Sequence, residues 1–519
     1  MNIDSFNSRL KSAEARKQTN WESHYREAMQ LFCPNRENFY QTVKGEKKGI
    51  QLYTSTPYIA LDKSSNNIHS SYTPPQKKFT ELKAGRQIPK ENREKATEEL
   101  QAVNDALFSY IFASNFDIAI SEFYKDLVIG TAVMLVQGTR DNPLHFTSIP
   151  LDQVSFLEGA NGIVDTVFRK SKVAYRNIKA TWDDAIISKE LQATIDKKPD
   201  EEVEIIEGTM PQEVTIINRE TKKEEKAQGF GYFVKLAKGS SFLVQRELTY
   251  NPWIVARWST MSGEIWGRGP AIVALNDAKT LNQFVKLHMQ GLEITVHPVF
   301  TVVDDGIINV RNISVKAGVV IPVSANDGVY GPTIKQLTSN IDMNATQIEL
   351  ARLEQSINDQ LYTEPLGRVT LPVKTATEIS IRHQELAKRI GSAYGRLNHE
   401  FRNPFINACL SVLDATGLIN MSNFKADGKA IAIESVSPLA QMQSQDEIDN
   451  IYRLVEFAVG VYGPQAASAF LPPDKLLPYI GKETNVPVDV MNSAEAVKQA
   501  MTALMQGMQQ GGEQPQEPQ

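Results

Sequence analysis

At 519 residues the chain has length for about three domains, which excludes a small ligand module. Its composition, 41% hydrophobic and 22% charged, is that of a globular protein in water rather than a disordered, collagen-like or membrane-spanning one. The formal charge is only −6, from 55 basic and 61 acidic side chains, so no global attraction to nucleic acid is expected, although an acid-rich stretch from Asp200 to Lys226 carries most of the excess and leaves room for local basic sites elsewhere.

The chain begins with an amphipathic helical pattern over Ser5 to Phe32, carrying Leu10, Trp21, Tyr25, Met29 and Phe32 among charges and ended by Pro34. Pro57 opens a second helix, closed by Pro74-Pro75. A third runs from Glu91 to Tyr110 and leads into an apolar stretch, Phe116 to Val136, read as helical. Short alternating runs follow: His145 to Ile149, Val154 to Leu157, Val164 to Arg169, then Val203 to Ile206, Val214 to Ile217, Tyr232 to Leu236, Ser241 to Leu248 and Trp253 to Ser259. Separated by polar turns, they read as an antiparallel meander interrupted by a helical Lys179 to Ile195.

Arg268-Gly269-Pro270 starts a long helix to about Glu293, with Pro at its first position where a missing N–H costs nothing. Ile272, Leu275, Ala278, Leu281, Val285, His288 and Leu292 share one face; Asn276, Lys279, Gln283, Lys286 and Gln290 form a polar stripe on another. A β-rich excursion from Thr295 to about Leu337 separates this helix from a second, about Ile341 to Tyr362, with Leu350, Leu353, Ile357 and Leu361 along its stripe. Glu364 to Lys374 is a loop bracketed by Pro365 and Pro372. Thr375 and Glu378 then form a capping box for a helix of nearly forty residues, through His383, Tyr394, Phe401 and Phe405, which Pro404 is expected to bend. Shorter helical patterns lie at Asp446 to Val461 and Ala494 to Met508, and the last dozen residues are Gln/Gly/Pro-rich and read as disordered.

Enzyme chemistry is not legible. Gly481-Lys482-Glu483-Thr484 lacks the hydroxyl after Lys that a P-loop requires, and Gly229-Phe230-Gly231 and Gly267-Arg268-Gly269 lack the third Gly of a dinucleotide loop. The seven histidines stand singly, so no element offers two metal ligands, and His288 and His383 read as hydrogen-bonded core residues. Only Cys33 and Cys409 are present, read as two small buried hydrophobes. No cofactor and no metal are expected. The longest apolar run, Leu127 to Val136, is ten residues, about half of a bilayer span, and the N-terminus carries no signal-peptide pattern, so a cytoplasmic site of action is expected.

Six stretches in a fixed order carry a resemblance: Trp21 to Glu27 with Pro34 and Asn38-Phe39; Ala60 to Pro75 followed by Phe79; Ser114-Asn115-Phe116 through Gly130-Thr131-Ala132; Pro150-Leu151-Asp152 to Phe156; Pro252-Trp253 to Pro270; and Thr375-Ala376-Thr377-Glu378 with Arg382. Over residues 1 to 420 the chain resembles the portal, or head-to-tail connecting, proteins of short-tailed bacteriophages. Phe79 stands where that family often has Trp, and the C-terminal hundred residues match weakly.

The resemblance implies a mainly helical α+β ring subunit with a long kinked helix and antiparallel β layers. Residues 1–268 and 375–435 would form its wing, 269–293 and 341–363 its two stem helices, 294–340 its clip, 364–374 its tunnel loop, 436–505 its crown and 506–519 a disordered tail. It implies a ring of about twelve copies at one capsid vertex. Double-stranded DNA would pass through it in a sequence-independent way, and the terminase large subunit, tail adaptor or head-completion proteins, and the major capsid and scaffolding proteins would be its partners. It also implies a place in the virion after assembly in the host cytoplasm. Arg368, Lys374, Leu366 and Val369 would meet DNA from the loop, Lys279 and Lys286 from the stem, and Asp304, Asp305 and Arg311 would dock partners at the clip. Two other classes compete: a structural capsid or scaffold component, which needs no rigid loop between polar-striped helices, and a terminase large subunit, which needs the missing P-loop and a carboxylate cluster.

Overall fold

The computed structural model describes residues 2–36, 52–85, 93–217 (except 161), 224–296, 299–302, 334–337, 343–363, 391, 393–419, 431–436, 451–463, 471 and 476. The N-terminal part runs α1 (Ile3–Asn20), α2 (Glu22–Phe32), α3 (Thr56–Tyr72), β1 (Thr80–Ala84), α4 (Arg93–Ala113) and α5 (Phe116–Ile129). A β-rich part follows: β2 (Thr131–Gln137), β3 (His145–Ile149), β4 (Val154–Glu158), β5 (Val164–Ala174), α6 (Ile178–Thr181), α7 (Lys189–Lys197), β6 (Glu202–Ile217), β7 (Glu224–Leu236), β8 (Phe242–Leu248) and β9 (Trp253–Arg257). Then come α8 (Pro270–Val273), α9 (Leu275–Val296), β10 (Val299–Val302), β11 (Ile334–Leu337), α10 (Met343–Gln360), α11 (Asn403–Ala415), β12 (Ile431–Ser435) and, over residues 451–463, α12. The chain divides into two compact units, a larger one of Met1–Thr19, Ser64–Gly269 and Glu364–Gln519 and a smaller one of Asn20–Lys63 and Pro270–Thr363.

In the larger unit β4 to β8 form a five-stranded antiparallel meander. Side chains alternate between the faces of a strand, and the two faces have different partners. Ile206 and Phe233 point to the face where α1 lays Phe6, Leu10 and Ala13, with the Phe6 and Phe168 rings edge to face at 5.2 Å. Their neighbours Ile205 and Val234 point to the other face, against Ile178, Trp182 and Leu191 of the α6–α7 segment. A continuous β6 replaces the two short strands expected around Gly208. Glycine here marks close packing, since a Cβ at 208 would lie 2.5 Å from the Phe6 ring and 2.7 Å from that of Phe168.

Two further expectations are corrected. The apolar run read as helix to Val136 splits at Gly130, where α5 stops and β2 begins; periodicity alone cannot separate a doubly buried strand from a buried helix. Strand β9 leaves the meander and pairs with β2, Val133 opposite Val255, in the sheet β3-β2-β9. Both strands are buried along nearly their whole length, β2 as the centre of this sheet and β9 as its covered edge, whereas β8 is only partly buried and closes the meander as an edge.

The long C-terminal helix is described from 393. Just before Pro404 it takes a π-helical turn, Asn398–Arg402, after which α11 begins with Pro404 in its first turn. Proline has no N–H to donate to residue 400, and the wider turn absorbs the missing bond. Phe401 and Phe405, ring centroids 5.3 Å apart, anchor an aromatic core in which Phe405 touches Phe116 and Phe146 and Phe401 touches Phe123.

In the smaller unit α9 and α10 pair antiparallel, because the start of one meets the end of the other: Asp277 accepts from Ser356 Oγ and from Gln360 Nε2, each at 2.7 Å. Leu275, Ala278 and Leu281 of α9 and Ile357 and Leu361 at the end of α10 are buried. Strands β10 and β11 form an antiparallel pair, Val299 opposite Leu337. Helix α2 packs on α8 and α9. The single N-terminal helix expected to Phe32 is thus two helices, broken at Thr19-Asn20-Trp21, where two poor helix formers adjoin.

Candidate functional site

The candidate site is the α9–α10 pair with the chain that enters and leaves it. The larger unit ends at Gly267-Arg268-Gly269. The Gly269 N–H donates to the Ile129 carbonyl at 3.0 Å and the Gly267 N–H to Thr131 Oγ1 at 2.8 Å. A Cβ at either glycine would fall within 2.3 Å of a backbone oxygen, Gly130 O or Val128 O. These glycines exist for contact with the end of α5, and Arg268 is spent on Glu264 at 2.6 Å, so the Gly-Arg-Gly turn is a packing element.

On α9 the stripe Asn276, Lys279, Gln283 and Gln290 is exposed, and Lys286 is half-buried. Both lysines are engaged inside their own unit. Lys279 Nζ lies 2.5 Å from Glu27 Oε2 on α2, and Lys286 Nζ sits 5.7 Å from the centre of the Tyr53 ring. The Tyr53 N–H in turn donates to Asn282 Oδ1 at 2.8 Å, and Thr56 Oγ1 to Glu354 Oε1 at 3.1 Å. Two acids offset two lysines along α9, and three acids oppose Arg352 along α10, so the pair carries a net charge of −2. Such a surface would hold a polyanion weakly, because affinity for a nucleic-acid backbone grows with the number of uncompensated cations.

Helix α10 ends in a Schellman turn. The Thr363 N–H reaches the Asn358 carbonyl at 3.1 Å and the Tyr362 N–H that of Asp359 at 3.3 Å. The left-handed position is held by Tyr362, φ +54°, where glycine is usual. Thr363 Oγ1, buried, locks the turn by donating to Asn358 Oδ1 at 2.7 Å.

Arg368, Lys374, Leu366 and Val369, together with Asp304, Asp305, Arg311 and His383, lie outside the described residues. Among the described residues no group of His, Cys, Asp and Glu is arranged to hold a metal, and both cysteines are buried thiols. The half-buried His288 keeps its Nδ1 without a hydrogen-bond partner, unlike the bonded core residue expected. No helix among the described residues is long and apolar enough to cross a membrane.

Sequence reading missed a heavily bonded charged group, Arg257 at the end of β9. Its guanidinium, 3% exposed, donates to Glu400 at 2.7 Å, to Glu158 at 3.2 Å, and to the Gly162 and Ile265 carbonyls. Burial opposes its charge, but Glu400 and then Glu158 outweigh burial and raise its pKa. Glu400 also accepts from the Arg257 N–H at 2.9 Å and from Arg396 at 3.0 Å. It stands in the π turn, so this ion cluster fastens that turn of the long helix to β9 of the β3-β2-β9 sheet. A cation at the end of the apolar run Trp253-Ile254-Val255-Ala256 was the one available signal. A second buried cation, Lys17, fills a cage of three carbonyls, those of Leu151 and Asp152 at 2.7 Å and Val154 at 2.8 Å, and nothing in its charged helix marks it out.

Residues 4–491 match the family described as bacteriophage head to tail connecting protein. The chain belongs to this family. A relative in Bordetella phage BPP-1, named "Probable portal protein", is 23% identical over 459 residues, covering 84% of this chain and 79% of the relative. The "Portal protein" of Salmonella phage epsilon15 is 21% identical over 458 residues, covering 85% and 80%. Among solved structures, a chain from a virion of native gene transfer agent particle aligns over 83% of this chain and 94% of its own length, with 11% identity and a TM-score of 0.35.

Proposed function

We propose that this protein is a phage portal subunit. About a dozen copies form a closed ring at one capsid vertex, and double-stranded DNA passes through its axial channel during packaging and ejection. The observation that carries this reading is the family match over nearly the whole chain, with two relatives named as portal proteins. The charge of the helix pair supports it: a conduit has to let DNA slide, and a surface with net charge −2 and engaged lysines does not hold phosphates.

In this reading α9 and α10 are the stem and residues 294–340 the clip. There Asp304, Asp305 and Arg311 meet first the terminase large subunit and later tail adaptors. Residues 364–374 form the tunnel loop. Arg368 and Lys374 touch phosphates without reading bases, while Leu366 and Val369 make a steric collar; Lys279 and Lys286 add only weak contacts. The remaining wing surfaces face capsid and scaffolding proteins, residues 436–505 form the crown, and the assembled ring resides in the virion. The protein is a conduit and carries out no catalysis.

Negative-stain imaging and native mass measurement of the purified full-length chain test this. A ring with a central channel and no co-purifying ATP hydrolysis is the expected result. Only monomer or dimer at micromolar concentration across several salt concentrations overturns it.

A further inference from the structure

Helix α12 exposes an unusual amount of apolar surface. Tyr452, Leu454, Phe457, Val459, Val461 and Tyr462 are 41–63% exposed within thirteen residues. Scattered exposed hydrophobes are ordinary, but a dense patch marks an interaction site. At 100° per residue the helix resolves into four sides. Ile451, Val455 and Ala458 lie on one, half-buried or buried, so the chain's own fold covers that side as far as Ala458, and Tyr462, on the same side in the last turn, is exposed beyond it. Arg453, Glu456 and Gly460 lie roughly opposite. Between them are two apolar flanks, each roughly 90° from the covered side: Leu454, Phe457 and Val461 on one, Tyr452 and Val459 on the other.

This arrangement selects the occupant. Thirteen residues span about 20 Å, short of a bilayer core. A partner seated on one flank leaves the other bare, and so does a two-fold contact, which pairs a flank with itself. A head-to-tail repeat of identical subunits covers both flanks at once, because each copy has a neighbour on either side, and it leaves Arg453 and Glu456 in water. We propose that α12 is a subunit contact of the ring: the Leu454/Phe457/Val461 flank of each copy packs against the Tyr452/Val459 flank of the next. This rests on the ring reading above and assigns it a surface in the C-terminal region.

The test uses two full-length variants, Phe457→Asp and Tyr452→Asp, each altering an exposed side chain and checked for unchanged thermal unfolding of the monomer. Each alone raises the concentration needed for half-maximal ring assembly at least tenfold. Mixed in equal amounts they form a heterodimer by native mass, because Phe457→Asp retains an intact Tyr452 flank and Tyr452→Asp an intact Phe457 flank, yet no ring. Rings from both variants at wild-type concentration overturn the proposal and leave the portal reading standing, the outcome expected if the chain's own C-terminal residues or a tail protein cover α12. Homodimers of a single variant, in place of the heterodimer, overturn the head-to-tail pairing. A wild-type chain that never forms rings removes the portal reading and this contact with it.

Discussion

Glu400→Gln isolates the cluster that fastens the long helix to the sheet. The substitution keeps the shape and one acceptor oxygen but removes the charge facing Arg257, whose guanidinium is 3% exposed. Breaking a buried pair from one side typically costs about 3–5 kcal/mol, because the remaining charge stays out of water. The low end applies here: Glu158 at 3.2 Å and the carbonyls of Gly162 and Ile265 remain as acceptors. At about 2.1 cal/mol/K per residue, a cooperative unit of roughly 380 residues has an unfolding entropy near 0.8 kcal/mol/K, so a loss of about 3 kcal/mol lowers Tm by about 4 °C. Scanning calorimetry reads this directly. The double variant Arg257→Met/Glu400→Gln removes the stranded cation and should lose clearly less than the two single variants added together. A Glu400→Gln protein within about 1 °C of wild type, or strictly additive singles, would refute the argument that the pair fastens the π turn to β9.

Three further outcomes are expected. Lys17→Met deprives the Leu151, Asp152 and Val154 carbonyls of their shared ammonium donor and should cost about 3 kcal/mol of the larger unit's stability; a cost under about 1 kcal/mol in urea titration contradicts the cage. His69 is pushed below its ordinary pKa of 6.5 by burial, with Asp117 at 4.0 Å pulling only partly the other way. The unfolded chain therefore binds that proton first, so stability falls as pH drops below 6.5, and His69→Gln should flatten Tm between pH 7 and 5; an unchanged slope rejects the assignment. Under the portal reading, Arg368→Ala with Lys374→Ala should leave rings intact but impair packaging or let genomes leak from filled heads, and wild-type retention removes the loop as a DNA contact.

The legible parts of this chain are those where local pattern and tertiary role coincide. Pro270 marked the start of the short α8, which the sequence pattern joins to α9; the apolar spacing from Leu275 through Leu292 made α9 readable, and alternation made the meander readable because one element lies on each face of it. Reading failed where two roles share one pattern. Leu127 to Val136 is uniformly apolar, yet Gly130 divides it between a helix and a central strand. The stretch between Ile206 and Val214 reads as a polar turn between strands, and its Gly208 is a seat for two phenylalanine rings within one strand. At the candidate site the polar stripe was visible, but its occupants were not: nothing local to Lys279 or Lys286 announces Glu27 or Tyr53, more than two hundred residues away. Glu400 reads as one more polar residue on a long helix and acquires its partner only because the π turn aims it at β9.

That engagement bears on how a conduit can work. If Lys279 and Lys286 were bare in a ring of about twelve, they would offer on the order of twenty phosphate contacts. With binding falling by about 0.9 in log K per contact for each tenfold rise in salt, such a ring would hold DNA fast at low salt and release it only at high salt. Movement needs the opposite, an energy surface nearly flat along the duplex. Glu27 against Lys279 and the Tyr53 ring against Lys286 lower the field of each cation at the cost of one acid and one aromatic ring per subunit, and the surplus acids of α10 turn the pair's net charge negative. In the portal reading grip is then left to residues 364–374. Glu27→Gln separates the two tasks: it frees Lys279, and in the portal reading should slow packaging and raise its salt dependence while leaving ring assembly unchanged. Packaging at wild-type rate with unchanged salt dependence would place this stripe away from the DNA.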